Sequence, residues 1–182
     1  MFATILFFML CIQINPNDML WANKLLYSGY PVSATPFDQK LNSVGFFNGP
    51  KTIISHFSHA RSVKELFMIA RSYRYLSNAA NRPWQSAEET TLKGSGNCAD
   101  KAVWLYTELT RNGYNDVSLV IGKYCPIDTK LHAWVTYVDK SEHTFILDSA
   151  LQRQILKVED FPEGFYIPLY SFSRENRYFH GQ

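Results

Sequence analysis

The sequence predicts an α+β domain in which one cysteine-bearing helix packs on an antiparallel β-sheet, with further helices ahead of it. Three observations carry that prediction. Apolar residues from Cys98 to Leu109 recur at helical spacing, between a capping asparagine and a stop glycine. Three strand-like runs follow between Val117 and Asp148, the last two joined by the turn-like Asp139-Lys140-Ser141-Glu142. The chain has 182 residues, 46% hydrophobic and 19% charged, which is enough to bury one core and too apolar for disorder. Residues 1–182 are therefore read as one domain.

Composition also excludes some functions. A net charge of +2 with no Lys/Arg run offers nothing to a nucleic-acid backbone. The three cysteines, Cys11, Cys98 and Cys125, contain no CxxC pair, so neither a zinc ribbon nor a thioredoxin-type motif is present. An odd count leaves one thiol without an intrachain partner, and a Cys11–Cys125 pair stays open. Residues 1–14 form an apolar run shorter than the roughly 20 residues that span a bilayer, so no integral membrane domain is expected. That run suits a signal-peptide core, yet no basic residue precedes it and no small-x-small site follows. Export and an apolar segment packed on the core stand as equal readings, and localisation stays open with them.

Taken in order, Asn17 or Asp18 can cap a short helix over Met19–Tyr27, stopped by Gly29 and Pro31. Residues 31–60 show no period and read mostly as loop, with His56 and His59 as surface or packing residues. Ser62 opens a helix whose stripe is Val63, Leu66, Phe67, Ala70, Tyr73 and Leu76, expected to end near Asn78–Asn81 ahead of Pro83. Ser86-Ala87-Glu88-Glu89 is a capping box, placing another short helix before Gly94.

Next comes Lys93–Lys101, KGSGNCADK. Asn97 is the N-cap of a helix running to Arg111, Asp100 complements its dipole, and Gly113 stops it. Cys98, Ala102, Leu105 and Leu109 share one stripe, with Tyr106 beside it. A thiol in a first helical turn sits where the positive helix end favours its thiolate and where free N–H groups can bind an oxyanion. Gly94 and Gly96 let the approach turn tightly and leave room for a substrate. For a cysteine alone, a buried structural thiol is the better reading. Two downstream residues reverse that preference.

The strand runs are Val117–Gly122, His132–Val138 and His143–Asp148. With the turn centred on Lys140, position 132 falls opposite 148 and 134 opposite 146, at Cβ separations of about 4.5–5.5 Å. Asp148 would then fix the tautomer of His132, and His132 would take the Cys98 proton. Trp134 and Ile146 would form an apolar floor beside them. Each residue has a plainer reading alone, His132 as a strand end and Asp148 as a turn acid, but neither explains their pairing. His143 faces away and is demoted. Gln154–Val158 and Phe165–Tyr170 extend the sheet, and the tail from Ser171 is expected to be disordered, His180 included.

In GSGNCAD, LHAWV and ILDS, occurring in that order, the chain resembles the transglutaminase-like superfamily of Cys-His-Asp enzymes over roughly Trp84–Ala150. The resemblance implies a papain-like arrangement with Cys98 as nucleophile, His132 as general base and acid, and Asp148 as orienting acid. Trp84 stands where bacterial transglutaminase-like cysteine peptidases often carry a tryptophan, which implies a place lining the cleft. Gly96, Asn97 and Trp134 are taken with it as cleft residues.

The implied reaction is acyl transfer from a peptide or protein amide through a thioester, with no cofactor and no metal. Hydrolysis is favoured because a small chain without appended β-sandwich domains resembles the bacterial hydrolytic members. Protein-glutamine cross-linking and a non-catalytic peptide-binding module are the alternatives. A metal site built on the same three residues ranks last, since it lacks the usual ligand complement. Substrate identity and oligomeric state are not readable.

Overall fold

The structure, a computed structural model, describes residues 29–48, 61–77, 82–125, 127, 129–162 and 164–181. The apolar segment 1–14, the expected helix Met19–Tyr27, Cys11, His56 and His59 lie outside the described residues.

In chain order the elements are β1 (Tyr30–Pro31), α1 (Asp38–Ser43), α2 (Val63–Ser72), β2 (Arg74–Tyr75), α3 (Ala87–Lys93), β3 (Ser95–Gly96) and α4 (Cys98–Arg111). They continue as β4 (Val117–Tyr124), β5 (Leu131–Val138), β6 (Thr144–Leu147), β7 (Leu156–Lys157), a 3₁₀ turn (Val158–Asp160), β8 (Tyr166–Phe172) and β9 (Arg177–Phe179). Seven strands form one sheet in the order β1-β9-β8-β4-β5-β6-β7, every described pair antiparallel. Strands β2 and β3 make a separate parallel pair. The expected α+β architecture, a cysteine helix on an antiparallel sheet with helices ahead of it, is the one observed. No helix among the described residues is long and apolar enough to cross a membrane.

Helix α4 is the centre of the molecule. Ala102, Leu105 and Leu109 are buried between α2 (Leu66, Phe67, Ala70) and the sheet face carrying Leu119, Ile121, Ala133, Val135 and Leu147. Leu105 and Leu109 are both 0% exposed. A leucine buried so completely stabilises the fold by about 1.5–3 kcal/mol. The other sheet face packs Val120, Trp134 and Ile146 against Val158, Phe165 and Tyr166. Residues 133 and 135 thus face the helix, while 134 and 146 share the opposite face.

The described part of 31–60 is mostly irregular, as expected, apart from α1, where Thr35 Oγ1 donates to Asp38 Oδ1 at 2.7 Å. Three local expectations need correction. The Ser62 helix has its capping box with Glu65 but stops at Ser72, because Tyr73 turns extended (ψ 135) and the chain enters β2. Leu76 therefore does not belong to its stripe.

The β5–β6 register is two residues from the expected one, pairing Val135 with Leu147 and Thr136 with Ile146. The five-residue loop 139–143 sets it: Asp139 Oδ1 accepts the N–H groups of Ser141 and His143 at 2.9 Å each, and Glu142 takes φ 63. A shift of two keeps every side chain on its face, where a shift of one would not. Finally, the tail is ordered. β9 pairs with β8, and His180 is buried with Nε2 2.8 Å from Ser171 Oγ.

Candidate active site

The start of α4 is unusually well fixed. Asn97 Oδ1 accepts the Asp100 N–H at 3.0 Å, and Asp100 Oδ2 accepts the Asn97 N–H at 2.7 Å, a reciprocal capping box. Asp100 is fully buried; its Oδ1 accepts the Gln85 N–H at 2.8 Å, and the Arg82 guanidinium pairs with its Oδ2. One carboxylate thereby ties the chain before α3 to the turn that presents Cys98.

The glycines have distinct duties. Gly94 closes α3 in the left-handed region (φ 57), donating to Thr90 and Thr91 carbonyls. Gly96 lies against Asp100, whose Cβ would stand 2.7 Å from any Cβ added there, so packing restricts the position to glycine.

His132 and Asp148 meet where β5 outruns β6. The last β5–β6 pair is Val135–Leu147, and the register continues to put Trp134, not His132, across from Asp148. The two functional candidates are diagonal neighbours, a separation that longer side chains bridge. They do so here: His132 Nε2 donates to Asp148 Oδ2 at 2.7 Å. Beyond the end of β6, the His132 ring and the Ala133 N–H both act on the Cys98 thiol. With Nε2 engaged by Asp148, Nδ1 is the nitrogen left for the sulfur.

Asp148 is held on both oxygens. Oδ1 accepts the N–H groups of Ala150 (3.0 Å) and Leu151 (3.1 Å), and Oδ2 also accepts the Tyr166 hydroxyl at 2.9 Å. That hydroxyl is in turn 3.0 Å from the amide of Gln152. His143 lies at the far end of the hairpin beside Asp139, away from this group.

The electrostatics follow from burial and charge. Burial alone would push the Cys98 thiol up. The hydrogen bond and charge of His132, with the Ala133 N–H, outweigh it and hold the thiol below its ordinary value, against repulsion from Asp148. For His132, burial would lower the pKa, but the bonds and charges of Asp148 and Cys98 raise it to about 10. Both directions favour a thiolate–imidazolium pair. Burial and the Asp148 charge push the Tyr166 phenol up, so it stays a donor to Asp148.

Other residues singled out from sequence fall as follows. Trp134 is buried and stacks 6.1 Å from the His132 ring at 25°, sharing its face with Ile146. Trp84 stacks on Phe37 at 6.3 Å and carries Lys40 Nζ 5.7 Å over its ring.

Sequence reasoning missed Tyr75, Tyr166 and Lys101. Lys101 is buried, and its Nζ donates to the carbonyls of Tyr73 (3.0 Å) and Arg71 (3.4 Å), pinning the end of α2 to α4. Burial lowers its pKa, offset in part by Asp148. The alternation Tyr73-Arg74-Tyr75 was a strand signal, masked by the helical stripe before it.

Three solved structures of Legionella pneumophila LapG are similar to this chain. One superposes with a TM-score of 0.56 at 20% identity, covering 88% of this chain and 87% of LapG. The calcium-bound form gives the same figures. The EGTA-treated form gives a TM-score of 0.57 at 20% identity, covering 90% of this chain and 86% of LapG. No family model matches the sequence, and no curated protein matches it.

Proposed function

From its transglutaminase-like fold, we propose that this protein is a cysteine peptidase or amidase in which Cys98, His132 and Asp148 form the catalytic triad. The observation that carries the reading is the double engagement of one ring: His132 joins Asp148 at 2.7 Å and the Cys98 thiol at the helix start. Likeness of fold to a cysteine protease supports the same reaction class.

In this reading the Cys98 thiolate adds to the carbonyl carbon of a peptide or protein amide, and the carbonyl π pair moves onto oxygen. The N–H groups at the start of α4 stabilise that oxyanion. Collapse breaks the C–N bond, and the His132 imidazolium gives its proton to the departing amine, leaving a thioester on Cys98. His132, now neutral, takes a proton from water as it attacks the thioester; collapse breaks the C–S bond, releasing a carboxylic acid and restoring the thiolate–imidazolium pair. Asp148 holds the ring throughout without accepting its proton.

The test is capture of the acyl-enzyme. The wild-type protein, incubated with a peptide library and quenched in acid, should carry acyl adducts on the Cys98 peptide by mass spectrometry. Cys98→Ala should carry none and turn nothing over. Turnover that survives Cys98→Ala would refute the reading.

A further inference from the structure

Cys98 has a second neighbour that the triad does not use. Where α2 stops, the chain becomes β2, which pairs in parallel with β3, Tyr75 against Gly96. The pairing is closed by Arg74 N–H to Gly94 O (3.0 Å) and Leu76 N–H to Gly96 O (3.1 Å). Lys101, on the same helix as Cys98, anchors the carbonyl of Tyr73 just upstream. The backbone that carries Tyr75 is therefore fixed to the backbone that carries the thiol. From this position the Tyr75 side chain lies beside Cys98, its hydroxyl under the influence of both the thiol and the backbone N–H. The residue is 48% exposed, so one side of the ring is open to an incoming molecule.

The Cys98 N–H matters because it is one of the orphan donors of α4. Asn97 and Asp100 N–H groups are consumed by the capping box, but that of Cys98 is not. The oxygen of a tetrahedral intermediate bonded to Sγ comes within reach of this N–H. A substrate carbonyl oxygen arriving there accepts the N–H and receives the phenol O–H in turn.

We propose that Tyr75 is a catalytic residue, its hydroxyl and the Cys98 N–H forming the two donors of the oxyanion hole. The inference rests on the acyl-transfer reading of Cys98. Burial, with the nearby Cys98 charge, raises the phenol to about 12, so the hydroxyl keeps its proton and remains a donor at neutral pH.

Two probes of the same sulfur test this. Attack on p-nitrophenyl acetate forms a tetrahedral oxyanion before p-nitrophenolate leaves, whereas alkylation by iodoacetamide displaces iodide without one. Both are measured on wild type and Tyr75→Phe at a pH where the thiolate is fully formed. Tyr75→Phe should slow acylation by about 10²-fold, in kcat rather than KM, while alkylation of Cys98 changes little. Equal acylation rates in the two proteins would overturn the assignment. So would acylation and alkylation rising together, which would make Tyr75 a cover over the thiol. Failure of wild-type Cys98 to be acylated at all, with Tyr75 intact, would instead defeat the acyl-transfer reading on which the inference rests.

Discussion

Replacing His132 with alanine is expected to lower kcat/KM for amide cleavage by about 10³-fold, the range of a lost general base. That is about 4 kcal/mol of barrier. In the proposed mechanism the ring serves twice, as the cation that holds Cys98 ionised and as the proton donor to the leaving amine, which sets the size of the effect. With the ring gone, burial is the largest influence left on the thiol and pushes it up, with Asp148 repulsion in the same direction. Alkylation of Cys98 at neutral pH should therefore slow along with turnover. The ring also stacks on Trp134, so circular dichroism is recorded beside the rates to separate loss of catalysis from loss of fold. A variant that keeps wild-type turnover would remove His132 from the mechanism.

Asp100→Ala should have the largest effect on stability, about 3–5 kcal/mol, the cost of leaving one partner of a buried charge pair behind. The carboxylate is fully buried and accepts from Asn97, Gln85 and Arg82 together. Arg82, with 28% of its side chain exposed, can turn toward water. The Gln85 N–H cannot, and an unmet buried donor alone costs about 1–3 kcal/mol. Urea unfolding should show a lower midpoint at an unchanged slope. A loss below about 1 kcal/mol, no more than a surface ion pair contributes, would show that the junction before Cys98 is not held by this residue.

Much of this site could be read from residues that act locally. Asn97, Asp100 and Gly113 bound α4, and Ser86 with Glu89 begins α3, because caps are satisfied within three or four residues. The alternation around Trp134 and Ile146 put both on one sheet face, and that survived a register error of two. The register itself was not readable, since it depends on Asp139 accepting two N–H groups and on Glu142 turning left-handed. Long-range choices were hidden for the same physical reason. Nothing near Tyr73 says that the helix must stop there to pair with Ser95 and Gly96. Tyr166 reaches Asp148 from a strand on the far side of β4, and His180 is buried only because β9 finds β8.

The central claim is that Cys98 is held as a thiolate beside an imidazolium. The direct measurement is the rate of iodoacetamide labelling at each cysteine, followed by mass spectrometry across pH. Thiolate is lost as pH falls through the lowered thiol pKa, so Cys98 should keep labelling below the usual midpoint of about 8.5. The imidazolium is present below its raised value and lost as pH climbs through about 10, which should appear as a second step in Cys98 reactivity. Cys125, buried in the core, should label far more slowly throughout. A single Cys98 midpoint at or above about 8.5, at a rate no greater than that of Cys125, would contradict the account.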